Sequence, residues 1–157
     1  MKCRVSGYAA GFEPTLTHRA RESTALVETM RSAIERSGHI PADIDLVVTS
    51  AHATAVDDIE HDALAAVFSG VRSPMLLAPK AAWGECFAAH GALSVALAAA
   101  LLSGPPTSTP EVAHDQPLAT QRGAAPHRDA GRSPSVAMIH TLCYSGPTVA
   151  LLLAREE

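Results

Sequence analysis

The residues that could do chemistry are scattered along the chain. Cys3, Cys86 and Cys143 lie far apart with no CxxC pair, so no thiolate metal site is expected. Cys86 and Cys143 are expected to be free thiols buried in packing. His61, His90 and His140 are not spaced as metal ligands on one face, and His114 and His127 fall in a Pro- and Ala-rich stretch where solvation is expected. His52 follows the apolar run IDLVVTSA, and Lys80 and Glu85 precede a long uncharged run. His52 could simply bond a neighbour, and Lys80 and Glu85 could form a structural ion pair.

These residues need a framework, and the chain can build one. Its 157 residues suffice for one domain with a real core. With 47% hydrophobic and 18% charged residues, it is expected to fold. The net charge of −4 and the lack of a basic patch argue against nucleic acid as a partner. Unpaired cysteines and an N-terminus without a signal-peptide profile predict a reducing, cytoplasmic setting.

KCRVSGYAAGFE reads as an opening strand with a Gly-rich exit. RARESTALVETMRSAIERSG reads as an amphipathic helix, with Leu26, Val27, Met30, Ala33 and Ile34 at helical spacing and Gly38 as its C-cap. IDLVVTSA is a buried parallel strand by its unbroken apolar run. A helix over 57–70 follows, then a strand over 75–78 and the apolar helix over 86–102. A flexible loop is expected at about 105–134, rich in Pro, Gly and small residues. Strands over 135–144 and 148–154 close the chain. The order β-α-β-α-β-α-β-β predicts a mostly parallel five-stranded mixed sheet with an antiparallel hairpin at its end.

Cys86 to Leu102 contains no Asp, Glu, Lys or Arg. The run is shorter than the roughly 20 apolar residues of a membrane span, and is rich in Ala and carries His90. A helix buried in protein is expected. One face on its own sheet cannot cover it, so a second protein layer must.

GHIPADIDLVVTSAHAT, DIEHDAL, KAAWGECFAAHGA and HTLCYSGPTVALLL, in that order, resemble the C-terminal half of a β-ketoacyl synthase of the thiolase-like superfamily. The family pattern is an HGTGT-like strand end, a DxxE helix start, a K-xxx-GH-xxx-AAG motif and a GFGGTN-like closing turn. The resemblance covers nearly the whole chain as a single domain over 1–157. It implies an α/β fold, half of a thiolase-like αβαβα sandwich, with the apolar helix in the central layer between two sheets. The second sheet would come from an N-terminal half, and nothing in this chain matches that half. Phe87, Leu93, Leu97 and Leu101 are the expected partner-facing residues.

The resemblance also implies roles. A ketosynthase uses a cysteine nucleophile from its N-terminal half and two histidines that assist malonyl decarboxylation and hold the enolate oxygen. Neither Cys86 nor Cys143 matches the nucleophile. His52 matches the first histidine, but Ala53-Thr54-Ala55-Val56 stand where Gly-Thr-Gly-Thr is expected, and the interval to Glu60 is shortened. Lys80 matches the family lysine and Gly84 the family glycine. Glu85 takes the place of the second histidine. Tyr144 and Gly146 match the closing turn, where Tyr144 could line an acyl tunnel or simply pack.

Two functions are expected from this resemblance. One is a non-catalytic, chain-length-factor-like subunit that pairs with a ketosynthase in polyketide or fatty-acid-type elongation, with an acyl-carrier protein as an indirect partner. The other is half of a split synthase or acyltransferase, lending His52 to a site whose cysteine is on the partner. A decayed homologue and a homodimer stay open beside them. No organic cofactor, metal or membrane partner is implied.

Overall fold

The computed structural model describes residues 2–13, 22–50, 56–104, 134–143 and 145–156. Its strands and helices are β1 (Lys2–Phe12), α1 (Thr24–Ser37), β2 (Leu46–Val48), α2 (Val56–Val67), β3 (Met75–Leu77), α3 (Lys80–Trp83), α4 (His90–Ser103), β4 (Val136–Leu142) and β5 (Pro147–Glu156). They form one five-stranded sheet in the order β1-β5-β4-β2-β3. β2 runs parallel to both β3 and β4, and β5 runs antiparallel to β4 and β1. This is the α/β order and mixed sheet expected from the sequence.

Alternation along the strands divides the core in two. Val136, Met138 and Leu142 of β4 and Val47 of β2 pack with α1 and α2 through Leu26, Met30, Ile34, Ala63 and Leu64. Ala137, Ile139, Leu46 and Val48 point the other way, onto Ala98 and Leu102 of α4. A period of two in the strands meets helices on both faces, so the central strands must be apolar throughout.

Local chemistry sets the boundaries. Gly38 ends α1 in the left-handed region at φ 75°, its N–H donating to the Glu35 carbonyl. Gly7 lets α1 lie directly on β1, since a Cβ there would come within 2.3 Å of the Ala33 carbonyl oxygen. The apolar helix differs from the expectation of one run over 86–102. A 3-10 turn spans Phe87–Ala89 and the α-helix begins at His90. The cause is the conformation at Phe87, whose φ of 47° is unusual for a side chain of that size and interrupts the helical path. The strand expected over IDLVVTSA is shorter, Leu46–Val48, and the helix expected over 57–70 ends at Val67. The loop expected at about 105–134 falls, up to residue 133, outside the described residues.

α4 has a single buried stripe: His90, Ser94, Ala98 and Leu102, one residue every four. Ala92, Leu93, Ala96 and Ala100 are exposed. No helix of the described residues is long and apolar enough to cross a membrane.

Gly146 holds the closing turn against the end of β1. It sits at φ 112°, its carbonyl accepts the Glu13 N–H at 3.0 Å, and an added Cβ would lie 2.2 Å from the Glu13 carbonyl oxygen. Gly146→Ala is expected to cost about 2 kcal/mol or more, from backbone strain plus the clash. A thermal melt should show a midpoint lowered by roughly 4–8 °C. An unchanged midpoint would contradict this account of the turn.

Candidate functional site

Because β2, β3 and β4 are parallel, their C-terminal ends share one edge of the sheet. The end of β1 and the start of β5 reach the same edge, with Phe12 opposite Pro147 and Leu142 opposite Thr148. Ligands of open α/β sheets gather at such edges, where loops leave the strands.

β3 delivers Lys80 to this edge through Ala78 and Pro79. Lys80 opens the one-turn α3, and Gly84 closes it at φ 72°. Lys80 Nζ donates to Glu85 Oε2 at 2.8 Å, and the Phe87 N–H donates to Glu85 Oε1 at 2.9 Å. Glu85 thus receives a donor on each carboxylate oxygen. The loop conformation that interrupts the apolar run is what presents the Phe87 N–H to it. Cys86 is half-buried and its Sγ donates to the Gly84 carbonyl at 3.6 Å.

A second polar group lies on the α1–α2 side of the same edge. Glu60, in the first half of α2, is 5% exposed, and His140, on β4, is fully buried. Glu60 Oε1 accepts the Ser50 N–H at 2.6 Å. The same oxygen contacts His140 Nε2, and since a carboxylate accepts, the imidazole donates from that nitrogen. The Leu142 N–H donates to Ser50 Oγ at 3.3 Å. The ends of α2, β2 and β4 are thereby tied together. Sequence reasoning missed this pair. The available signal was a histidine inside an otherwise apolar strand, at the register position that faces the acid-bearing helix.

The sequence-derived site is only partly within view. His52 and Tyr144 lie outside the described residues. Lys80 and Glu85 are brought together, and Gly146 sits against the end of β1. The expectation of two buried cysteines is corrected: Cys143 is exposed, its Sγ 3.1 Å from Ser145 Oγ, because it falls one residue past the β4 ladder. No group of residues able to hold a metal ion occurs among the described residues.

Of the expected partner-facing residues, Phe87 is 83% and Leu93 40% exposed. Leu97 and Leu101 are half-buried against the chain's own sheet. The sheet adds residues that sequence reasoning did not find. Val5 and Tyr8 of β1 pair with Leu153 and Leu151, which belong to the core beneath α4. They therefore lie on the α4 side, as does Phe12 by alternation, and all three are exposed. One apolar surface thus runs from α4 onto the bare β1–β5 strip.

The comparisons agree with this architecture. An oxazolomycin ketosynthase domain of Streptomyces albus superimposes with a TM-score of 0.72 at 23% identity, over 97% of this chain and 44% of that one. The ishigamide ketosynthase/chain length factor gives 0.72 at 17% identity, over 98% and 38%. A β-ketoacyl synthase from Burkholderia phymatum gives 0.69 at 17% identity, over 99% and 38%. The chain therefore spans less than half the length of each of these structures, and the likeness is one of fold, the C-terminal half of a thiolase-like fold. No curated protein matches the chain. The model of the β-ketoacyl synthase C-terminal domain matches residues 2–105, two-thirds of the sequence. The chain belongs to the β-ketoacyl synthase C-terminal domain family.

Proposed function

We propose that this chain is a non-catalytic, chain-length-factor-like subunit that pairs with a ketosynthase-like chain in polyketide or fatty-acid-type elongation, in the cytoplasm. The observation that carries the reading is α4, which has no charged residue, is fully buried along one stripe only and leaves Ala92, Leu93, Ala96 and Ala100 exposed. Exposed apolar surface costs ~25 cal/mol per Å² relative to burial, so a continuous face of this kind favours a protein partner. The partner's share would be the nucleophilic cysteine and the second sheet.

The state of Glu85 supports the non-catalytic part. At the position of the family's second histidine stands a carboxylate already occupied by Lys80 and the Phe87 N–H. It offers a developing oxyanion no donor. Glu85→His tests this directly in the reconstituted complex. Turnover should stay within about twofold of the parent, because one restored donor without the rest of the site yields little. A gain of about tenfold or more would show a catalytic pocket that lacked only this group.

The second reading is the split synthase. The Glu60–His140 group favours it, because it fixes the sheet edge two residues before His52. In that case His52 would complete a site whose cysteine belongs to the partner.

A further inference from the structure

β1 ends the sheet on its side, and among the described residues no backbone group bonds its outer edge. Such an edge is a template for another strand. The two halves of β1 are guarded differently. The first half carries Lys2 and Arg4, both exposed, and a register shift between Val5 and Gly7 that interrupts its ladder. The second half, GYAAGF from Gly7 to Phe12, is regular and uncharged, with Tyr8 and Phe12 exposed.

That half receives its charge from α1. Without a Cβ at Gly7 the last turn of α1 lies directly on β1; a Cβ there would stand 2.3 Å from the Ala33 carbonyl oxygen and 2.7 Å from Ser37 Cβ. Arg36 belongs to this last turn. Its Nη1 donates to the Tyr8 carbonyl at 3.1 Å. The direction of that carbonyl follows from the ladder. The Glu13 N–H bonds the Gly146 carbonyl, so by alternation Gly11, Ala9 and Gly7 bond β5, while Tyr8, Ala10 and Phe12 turn their N–H and C=O groups to the outer edge.

We propose that Arg36 is a built-in block to self-association: its guanidinium caps the outer edge of β1 at Tyr8 and keeps that strand from pairing with β1 of a second copy. A second copy is the strand excluded because such an edge can pair antiparallel with itself about a two-fold axis, each copy offering the same groups. Centred on Tyr8, the pairing needs each Tyr8 carbonyl to accept the other copy's Tyr8 N–H. Arg36 takes that acceptor. The Arg36 charges of two copies would also meet over the same residue pair, where like charges repel. The contact lies at the sheet edge on the α1 side and takes nothing from the α4 face, so it stands apart from the pairing proposed above.

The test is sedimentation of the full chain, with amide exchange read on the same samples. Arg36→Ala should self-associate at least about tenfold more tightly than the parent. Its Tyr8 and Ala10 amides should gain protection as concentration rises, which those of the parent should not. Arg36→Gln keeps a donor for the carbonyl but no charge, and should fall between the two. Adding Ala10→Pro to Arg36→Ala should restore the parent's behaviour, because proline removes an outward N–H from the edge. Association of Arg36→Ala no tighter than the parent's, in a chain whose thermal melt shows it folded, would overturn the proposal. So would tighter association that survives Ala10→Pro, since it would run through another face, such as that of α4. If Arg36→Ala does not fold, Arg36→Gln carries the same comparison, with and without Ala10→Pro.

Discussion

If a second ketosynthase-like chain covers α4 as proposed, Ala96→Arg will leave this chain folded and disrupt that pairing. Ala96 lies within α4, on its exposed side. Arginine is a good helix former, so the isolated chain should lose only a few tenths of a kcal/mol. In the assembled state the same side chain would carry a charge into an apolar layer. An unpaired charge buried there costs on the order of 3–5 kcal/mol, which weakens pairing by a factor of about 10²–10⁴. Sedimentation of the mixed chains reads the pairing, and a thermal melt of the single chain reads the fold. Pairing that survives with parental affinity would mean that this face of α4 stays in water. A melt that collapses would mean that Ala96 is buried within the chain itself.

His52→Ala separates the two functional readings by the size of its effect. If the chain shapes or supports a partner's site without chemistry, turnover of the complex should change by no more than about twofold. If His52 supplies the proton transfer or the donor to an enolate oxygen, removing it should cost about 10²–10⁴ in turnover. Native mass spectra of the variant complex must accompany the assay, so that a loss of assembly is not taken for a loss of chemistry. The small effect is expected, since Glu85, which the resemblance sets at the second histidine's position, is occupied as an acceptor.

Much of the architecture was legible because the apolar patterning is strong. The amphipathic repeat from Leu26 to Ile34, closed by Gly38, became α1 with its left-handed cap. The unbroken apolar runs became β2 and β4, whose two faces meet separate helical layers. The bare side of α4 followed from its lack of any charged residue. Three features were not legible, each for a physical reason. Phe87 adopts a left-handed backbone that propensity never favours, so the break before His90 gives no sequence signal. β1 joins the sheet beside β5 rather than beside β2, a long-range pairing that local patterning does not encode. Consequently Val5, Tyr8 and Phe12 could not be placed on the α4 side in advance.

The site was legible unevenly. Lys80 and Glu85 lie five residues apart around a single glycine, and a short turn is enough to join them. Glu60 and His140 lie eighty residues apart, and only the fold brings them into contact. Cys143 was expected inside as part of a strand over 135–144. It falls just past the last residue of β4, where the alternation that buries strand side chains has ended.

The central claim is that another chain covers α4. The most direct test is a native pull-down of this chain from its source cells, read by intact-complex mass spectrometry. The expected result is a complex with a ketosynthase-like chain that carries a nucleophilic cysteine. Recovery of this chain only as a monomer, or only with copies of itself, would contradict the claim.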